Sequence, residues 1–320
     1  MKVLVTGASG MLGRGVAQAL LERGDDVTVL QRRPSTVDTR QVLGDVVDAA
    51  VVAEAVAGCE AVVHLAAKVD VVGPWAEYAR ANVDGTREVL QAARGAGVRR
   101  LVNVSSPSVA HAGRSLVGAG AGPADPGRAR GAYARSKAIA EQLALAADSA
   151  DLAVVSVRPH LVWGPGDTQL VGRIIERARA GRLPIIATGA ALIDTTYVDN
   201  AVDALVAAVD ADVHGEALVV SNGEPRPVGE VLRRLCAAAG VPPPGRHVPL
   251  GLALAVGAVV EGFWSVFDRR DTPPLTRFLA EQLATAHWFD QRRTHTALGW
   301  TPRVRLDEGF AALAAHHAAL

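Results

Sequence analysis

Aromatic residues and sulfur are scarce in this chain: its 320 residues hold two cysteines, two methionines, three tyrosines, five tryptophans and five phenylalanines. Cys59 and Cys236 lie far apart, in no C-x-x-C pattern. That excludes a disulfide-stapled scaffold and a cysteine zinc site, and leaves two core thiols in a reducing compartment. No excess of either charge exists, with 33 basic against 33 acidic side chains, so no overall field draws the chain to nucleic acid or to anionic membrane. The N-terminus has no charged start, apolar stretch and small-residue cleavage site; a strand-like run begins at once, and a cytoplasmic location is expected. His316 and His317 have no partners at metal spacing, and no metal is assigned. The long apolar run over residues 250–260 meets Glu261 before the roughly 20 residues that a bilayer crossing needs. It reads as a buried or interfacial helix, with membrane contact at most peripheral.

What the chain does have is glycine in an informative place. Gly7, Gly10 and Gly13 stand between an apolar strand and an apolar helix. In such a turn the first glycine reverses the chain, the second lets backbone N–H groups approach a pyrophosphate, and the third lets helix and strand pack closely. The helix N-terminus adds partial positive charge. Further apolar strands are expected over 2–6, 27–31, 41–43, 61–65, 100–105 and 153–158, alternating with helices over 11–23, 49–57, 77–93 and 133–147. Gly24, Gly58 and Gly95 fit left-handed helix ends. Strands this apolar are covered on both faces, so the fold class is α/β, a doubly wound parallel (Rossmann) sheet. A smaller, mostly helical C-terminal substrate domain follows. Residues 1–160 with about 194–222 form the dinucleotide-binding domain, and about 161–193 with 223–320 the substrate domain. Residues 111–131, rich in Gly, Ala, Arg and Pro, are expected to be a mobile loop.

Ligand crevices in such sheets lie beyond the carboxyl ends of the strands. Tyr133 and Lys137 are four residues apart on an expected helix, hence on one face. A neighbouring ammonium stabilises phenolate and is expected to lower the tyrosine pKa, making Tyr133 an acid for ketone reduction or a base for alcohol oxidation. Ser105 and Ser106 close the strand before that helix. At the end of the second strand, where a ribose-binding acid is expected, stands Gln31, followed by Arg32 and Arg33. A guanidinium holds a 2′-phosphate where an acid would bond a 2′-hydroxyl. NADP(H) is therefore expected in preference to NAD(H).

The motifs TGASGMLG over 6–13, HLAA over 64–67, NVDGT over 82–86, VSS over 104–106, Tyr133 with Lys137, RPHLVWGPG over 158–166 and YVDN over 197–200 resemble the extended short-chain dehydrogenases/reductases, the epimerase/dehydratase superfamily. The resemblance covers nearly the whole chain. It implies that Ser106, Tyr133 and Lys137 are catalytic, with Ser106 bonding the substrate oxygen. It also implies a cofactor lying along Gly7, Ser9, Gly10, Met11, Leu12 and Gly13, with Asp45 bonding the adenine beside Val46. Leu65, Ala66 and Ala67 would line that cofactor together with Asn82, Tyr133 and Lys137, and Pro159, with His160 and Val162, would lie near the nicotinamide. Sugar-nucleotide dehydratases carry Asp-Glu after the catalytic Thr, and here Pro107-Ser108 stand instead, so dehydration is not expected. The C-terminal motifs HWFD over 287–290 and LGWTP over 298–302 resemble the 3β-hydroxysteroid dehydrogenase-like branch, which includes sterol dehydrogenases and 2-alkyl-3-oxoalkanoate reductases. The expected activity is hydride transfer between nicotinamide and a ketone or secondary alcohol on a sizeable apolar substrate. The alternatives are a nucleotide-sugar 4-epimerase and a non-catalytic cofactor-binding regulator. Residues 250–267 are read as core or as a hydrophobic pocket wall, and a homodimer is expected by analogy.

Overall fold

The computed structural model describes residues 1–70, 73–110, 113–267 and 273–319. Seven parallel strands form the central sheet, in the order Glu216–Val220, Ala153–Pro159, Arg100–Val104, Ala61–His64, Lys2–Thr6, Asp26–Gln31 and Arg40–Leu43. Because side chains alternate across a strand, Val3 and Val5 enter one core with Val16 and Leu20 while Leu4 enters another with Leu30, Val62 and Leu101. Both faces are thereby covered, and this is the physical meaning of strands without polar alternation. Helices Met11–Glu22 and Val198–Asp210 cover the first face. Ala49–Val56, Gly85–Gly95 and Gly131–Ala146 cover the second. The strand order reverses beside Lys2–Thr6, so a crevice opens where the turn after this strand faces the segment after Ala61–His64.

Two expectations need correction. The helix read over 77–93 is broken into Trp75–Tyr78, a wider π-turn segment Ala79–Asp84, and Gly85–Gly95. Asn82 lies in the widened segment, where its amide grips Lys68. The region 111–131 is not loop throughout: Leu116–Ala119 is a strand paired with His287–Phe289, a partner too distant in sequence for periodicity to show. His111 lies outside the described residues. Beside its helices, the C-terminal part carries a four-stranded sheet of Arg226–Pro227, Leu192–Ile193, His287–Phe289 and Leu116–Ala119, and a strand pair, Pro184–Ile186 with Arg246–Val248. Cys59 and Cys236 are both free and buried.

Helix Leu250–Val266 packs against Arg277–Ala284, but Leu252, Val256, Val259 and Phe263 are exposed. That side of it forms neither core nor pocket wall. Among the described residues no helix is long and apolar enough to cross a membrane.

Candidate active site

The glycine turn is built by sterics. Gly7 has φ +80°, and a Cβ there would stand 2.9 Å from the Ala66 backbone nitrogen; a Cβ on Gly13 would stand 2.4 Å from the Gly7 carbonyl oxygen. Neither position admits a side chain. A Cβ on Gly10, by contrast, would meet only the Gly7 oxygen at 3.6 Å, so its missing side chain leaves a cradle in front of the helix. Gly10 caps Met11–Glu22 with no side-chain hydrogen bond, which leaves first-turn N–H groups for an anion. Ser9 and Gly10 are exposed, and Met11 and Leu12 half-buried.

Opposite the turn, a chain of buried hydrogen bonds fixes the segment after His64. Thr6 Oγ1 accepts from the N–H groups of Leu65 and Ala66 at 3.1 and 3.0 Å. Its own proton therefore goes to His64 Nδ1, 2.8 Å away. His64 then donates from Nε2 to Thr86 Oγ1 at 3.1 Å, and Thr86 donates to the Asn82 carbonyl at 2.7 Å. Burial first, and then the charge of Lys137, pull the His64 pKa down to about 3, so the ring stays neutral and the chain of donors keeps one direction. Asn82, 1% exposed, accepts from Lys68 N–H and donates to Lys68 O and to Ser136 Oγ. Its amide thereby joins the 65–68 segment to the Tyr133 helix. Leu65, Ala66 and Ala67 remain half-buried along the crevice.

Helix Gly131–Ala146 carries Tyr133, Lys137 and Glu141 at successive turns. Ser106 N-caps the short turn Pro107–Val109, accepting from Ser108 N–H. Its Oγ also accepts from Ser108 Oγ at 3.0 Å, and the same side chain pulls the pKa of the Tyr133 phenol downward. Ser105 Oγ is buried with no hydrogen-bond partner among the described residues, so Ser106 is the serine that acts on the tyrosine. Burial raises the Tyr133 pKa above the usual 10, and the Ser106 side chain opposes it. The expected lowering by Lys137 is absent because the Lys137 Nζ donates instead to Val104 O at 2.6 Å. Lys137 is 3% exposed. Its pKa is pushed down to about 8 by burial, against the pull of Glu141.

An unfolded lysine holds its proton to about 10.5, whereas folded Lys137 releases it near 8. Between those values the unfolded chain binds more protons. The Lys137 contribution to unfolding free energy should therefore rise with pH, by at most about 1.4 kcal/mol per pH unit. Urea unfolding of wild type and Lys137→Met near pH 7 and near pH 10 checks this. Wild type should gain on the variant as pH rises, and a constant difference would contradict the assignment.

Glu141 is fully buried with Arg158, whose Nε donates to Glu141 Oε2 at 2.8 Å. The same guanidinium donates to the carbonyls of Ala121 and Gly122, tying the catalytic-face helix to the segment after Leu116–Ala119. A cavity of about 330 Å³ lies there, lined by Val109, Leu116, Ala121, Asp125 and Arg128 among others.

The remaining sequence-selected residues sit as follows. Arg32 and Arg33 are exposed and have no ion-pair partner among the described residues. Gln31 is buried and donates to Gln41 Oε1 at 2.8 Å, so no carboxylate stands at that strand end. Half-buried Asp45 pairs with Arg80 at 2.9 Å, and Val46 is packed in the core against Gly85. Pro159 is buried, Val162 half-buried, and the His160 ring stands edge-on against His287 and Phe289 at 5.1 and 5.0 Å. Sequence reasoning missed the linked set Thr6–His64–Thr86 and the Glu141–Arg158 pair. A signal for the latter existed, since Glu141 continues the four-residue spacing of Tyr133 and Lys137.

The chain matches the NAD dependent epimerase/dehydratase family over residues 3–221. It belongs to that family. As an epimerase/dehydratase family member it is 43% identical to a 2-alkyl-3-oxoalkanoate reductase of Stenotrophomonas maltophilia (strain K279a), with the whole of both chains covered. It is 29% identical to a 3-beta-hydroxysteroid dehydrogenase of Mycolicibacterium neoaurum, over 97% of this chain and 89% of the relative. Among solved structures it resembles a UDP-glucose 4-epimerase of Thermus thermophilus in complex with NAD, with a TM-score of 0.75, 25% identity and 99% of each chain covered. This epimerase/dehydratase chain is therefore an oxidoreductase of the NAD(P)-dependent dehydrogenase/reductase class. Its open Gly10 cradle and uncapped helix N-terminus fit a dinucleotide diphosphate.

Proposed function

We propose that the protein is an NADP(H)-dependent ketoreductase that transfers a hydride between nicotinamide and a ketone or secondary alcohol on a sizeable apolar substrate, a 3-oxo acid or a sterol-like molecule. The observation carrying this reading is Tyr133 one helical turn from buried Lys137 on helix Gly131–Ala146, with Lys137 bonded to the end of strand Arg100–Val104 that leads into Ser106. A phenol whose pKa lies above 10 keeps its proton at neutral pH, which suits an acid for carbonyl reduction. Tyr133 gives that proton to the carbonyl oxygen, and Ser106 hydrogen-bonds the same oxygen. Lys137 would hold the nicotinamide ribose and support the phenolate left behind. The nicotinamide supplies the hydride when bound. Ser9, Gly10, Met11 and Leu12 would hold the diphosphate, Asp45 the adenine, and Pro159 with Val162 the nicotinamide side.

Arg32 and Arg33 hold the 2′-phosphate in this reading. Arg32→Ala with Arg33→Ala should weaken NADPH binding roughly 10- to 100-fold, as the loss of charge-assisted hydrogen bonds does, while leaving NADH binding nearly unchanged. Titration calorimetry measures both, and equal losses would refute the preference. The reading extends to a homodimer joined through Gly85–Gly95 and Gly131–Ala146, between which a groove is lined by Leu90 and Leu143. It also includes a substrate domain of about 161–193 with 223–320 and a cytoplasmic location. Its support for an apolar substrate is the mostly small, apolar lining of the 330 Å³ cavity and the names of the two curated relatives. The test is NADPH consumption with 2-alkyl-3-oxo acids and sterol ketones. Turnover is expected; inactivity on every such ketone, with conversion of a UDP-sugar instead, would overturn the reading.

A further inference from the structure

Among the described residues, the outer face of helix Leu250–Val266 carries no polar side chain. Leu252, Val256, Val259 and Phe263 on the helix, and Phe267 just past it, are between 43% and 73% exposed. At about 100° per residue their spacing confines all five to an arc of about 80°. Gly251, Ala255, Ala258 and Gly262, also exposed, widen the apolar strip without interrupting it. The helix is held firmly from behind. Ala253 is fully buried, and a Cβ on Gly257 would stand 2.7 Å from the Arg277 nitrogen. Glu261 accepts from the Arg277 N–H at 2.8 Å and from its Nε at 2.7 Å. The one acid of the helix is thereby turned toward the protein.

Exposed cations lie at the strand pair that leads into this helix. Strand Arg246–Val248 runs directly into the helix and pairs with Pro184–Ile186, Arg246 opposite Pro184, so Arg182 comes to the same end. Both arginines are exposed, and neither has an ion-pair partner among the described residues. Phe263, Trp264 and Phe267 gather at the other end, with ring centroids 4.5 to 5.7 Å apart.

We propose that this strip seats on a lipid bilayer bearing anionic headgroups, its five large side chains entering the acyl boundary and Arg182 and Arg246 meeting headgroup phosphates. Protein interfaces set their register with hydrogen bonds and a polar rim. Among the described residues the strip itself offers no such group, whereas a lipid surface demands only apolar area, boundary aromatics and cations. The inference stands apart from the catalytic reading. It describes a helix lying on a membrane and not one crossing it.

The experiment is cosedimentation of the full-length chain with vesicles of phosphatidylcholine alone or mixed with phosphatidylglycerol, for wild type, Val259→Asp and Arg246→Glu. Wild type should pellet with the mixed vesicles. Val259→Asp should weaken that binding at least tenfold, and Arg246→Glu should remove the preference for the anionic lipid, with thermal midpoint and NADPH affinity unchanged. Amide exchange of the wild type, which needs no variant to fold, should slow over residues 250–267 when mixed vesicles are added. Absence of pelleting, pelleting that Val259→Asp leaves intact, or slowing confined to other segments would each overturn the proposal. So would a dimer that dissociates only in Val259→Asp, which would assign the strip to a second copy of the chain.

Discussion

Tyr133→Phe is expected to lower kcat for ketone reduction by roughly 10²- to 10⁴-fold, the range set by a positioned general acid, with NADPH affinity almost unchanged. The argument is local. Removing one oxygen leaves the ring on helix Gly131–Ala146 and deletes the phenol proton that the proposed reaction delivers to the substrate oxygen. Ser106 keeps its cap on Pro107–Val109 through the Ser108 N–H, so its position survives the change. A fall in kcat with KM and cofactor binding preserved identifies an interaction made in the transition state. Full residual turnover in Tyr133→Phe, measured by NADPH consumption, would remove the phenol from the mechanism.

Glu141→Ala is expected to destabilise the fold by about 3–5 kcal/mol, because it leaves the Arg158 guanidinium buried without a counter-charge. Both partners are wholly inaccessible. Arg158 still bonds the Ala121 and Gly122 carbonyls, but neutral acceptors do not replace a carboxylate. Lys137 should feel the loss too. Glu141 raises its pKa against burial, so in the variant the ammonium gives up its proton below about 8. Replacing both partners by apolar residues, Glu141→Leu with Arg158→Met, should recover much of the stability. Urea unfolding of wild type and the two variants decides the matter, and a Glu141→Ala loss below about 1 kcal/mol would show that the pair is not held as described.

The parts of the site legible in the sequence are those written in local spacing. Gly7, Gly10 and Gly13 reflect clashes inside one turn, and Tyr133 with Lys137 reflects the pitch of one helix. Strands such as Lys2–Thr6 and Arg100–Val104 announce themselves because burial on both faces leaves no polar alternation. What escaped depends on partners far along the chain. Strand Leu116–Ala119 exists because it pairs with His287–Phe289, and nothing within its own four residues requires a strand. The π-turn at Ala79–Asp84 has no residue signature; it holds Asn82 where one amide reaches both Lys68 and Ser136. The direction of the Tyr133 pKa was misread for the same reason. Spacing put an ammonium next to the phenol, but the fold buried the phenol and gave Lys137 the Val104 carbonyl as its partner.

The most direct test of the account is isotopic. With NADPH carrying deuterium at the transferred position of the nicotinamide and a 2-alkyl-3-oxo acid as substrate, the wild-type protein should return a 3-hydroxy acid with deuterium on the carbinol carbon, and Tyr133→Phe should return almost none. Label that stays in the cofactor while the wild type is saturated with ketone, or equal label in the products of both proteins, would contradict it.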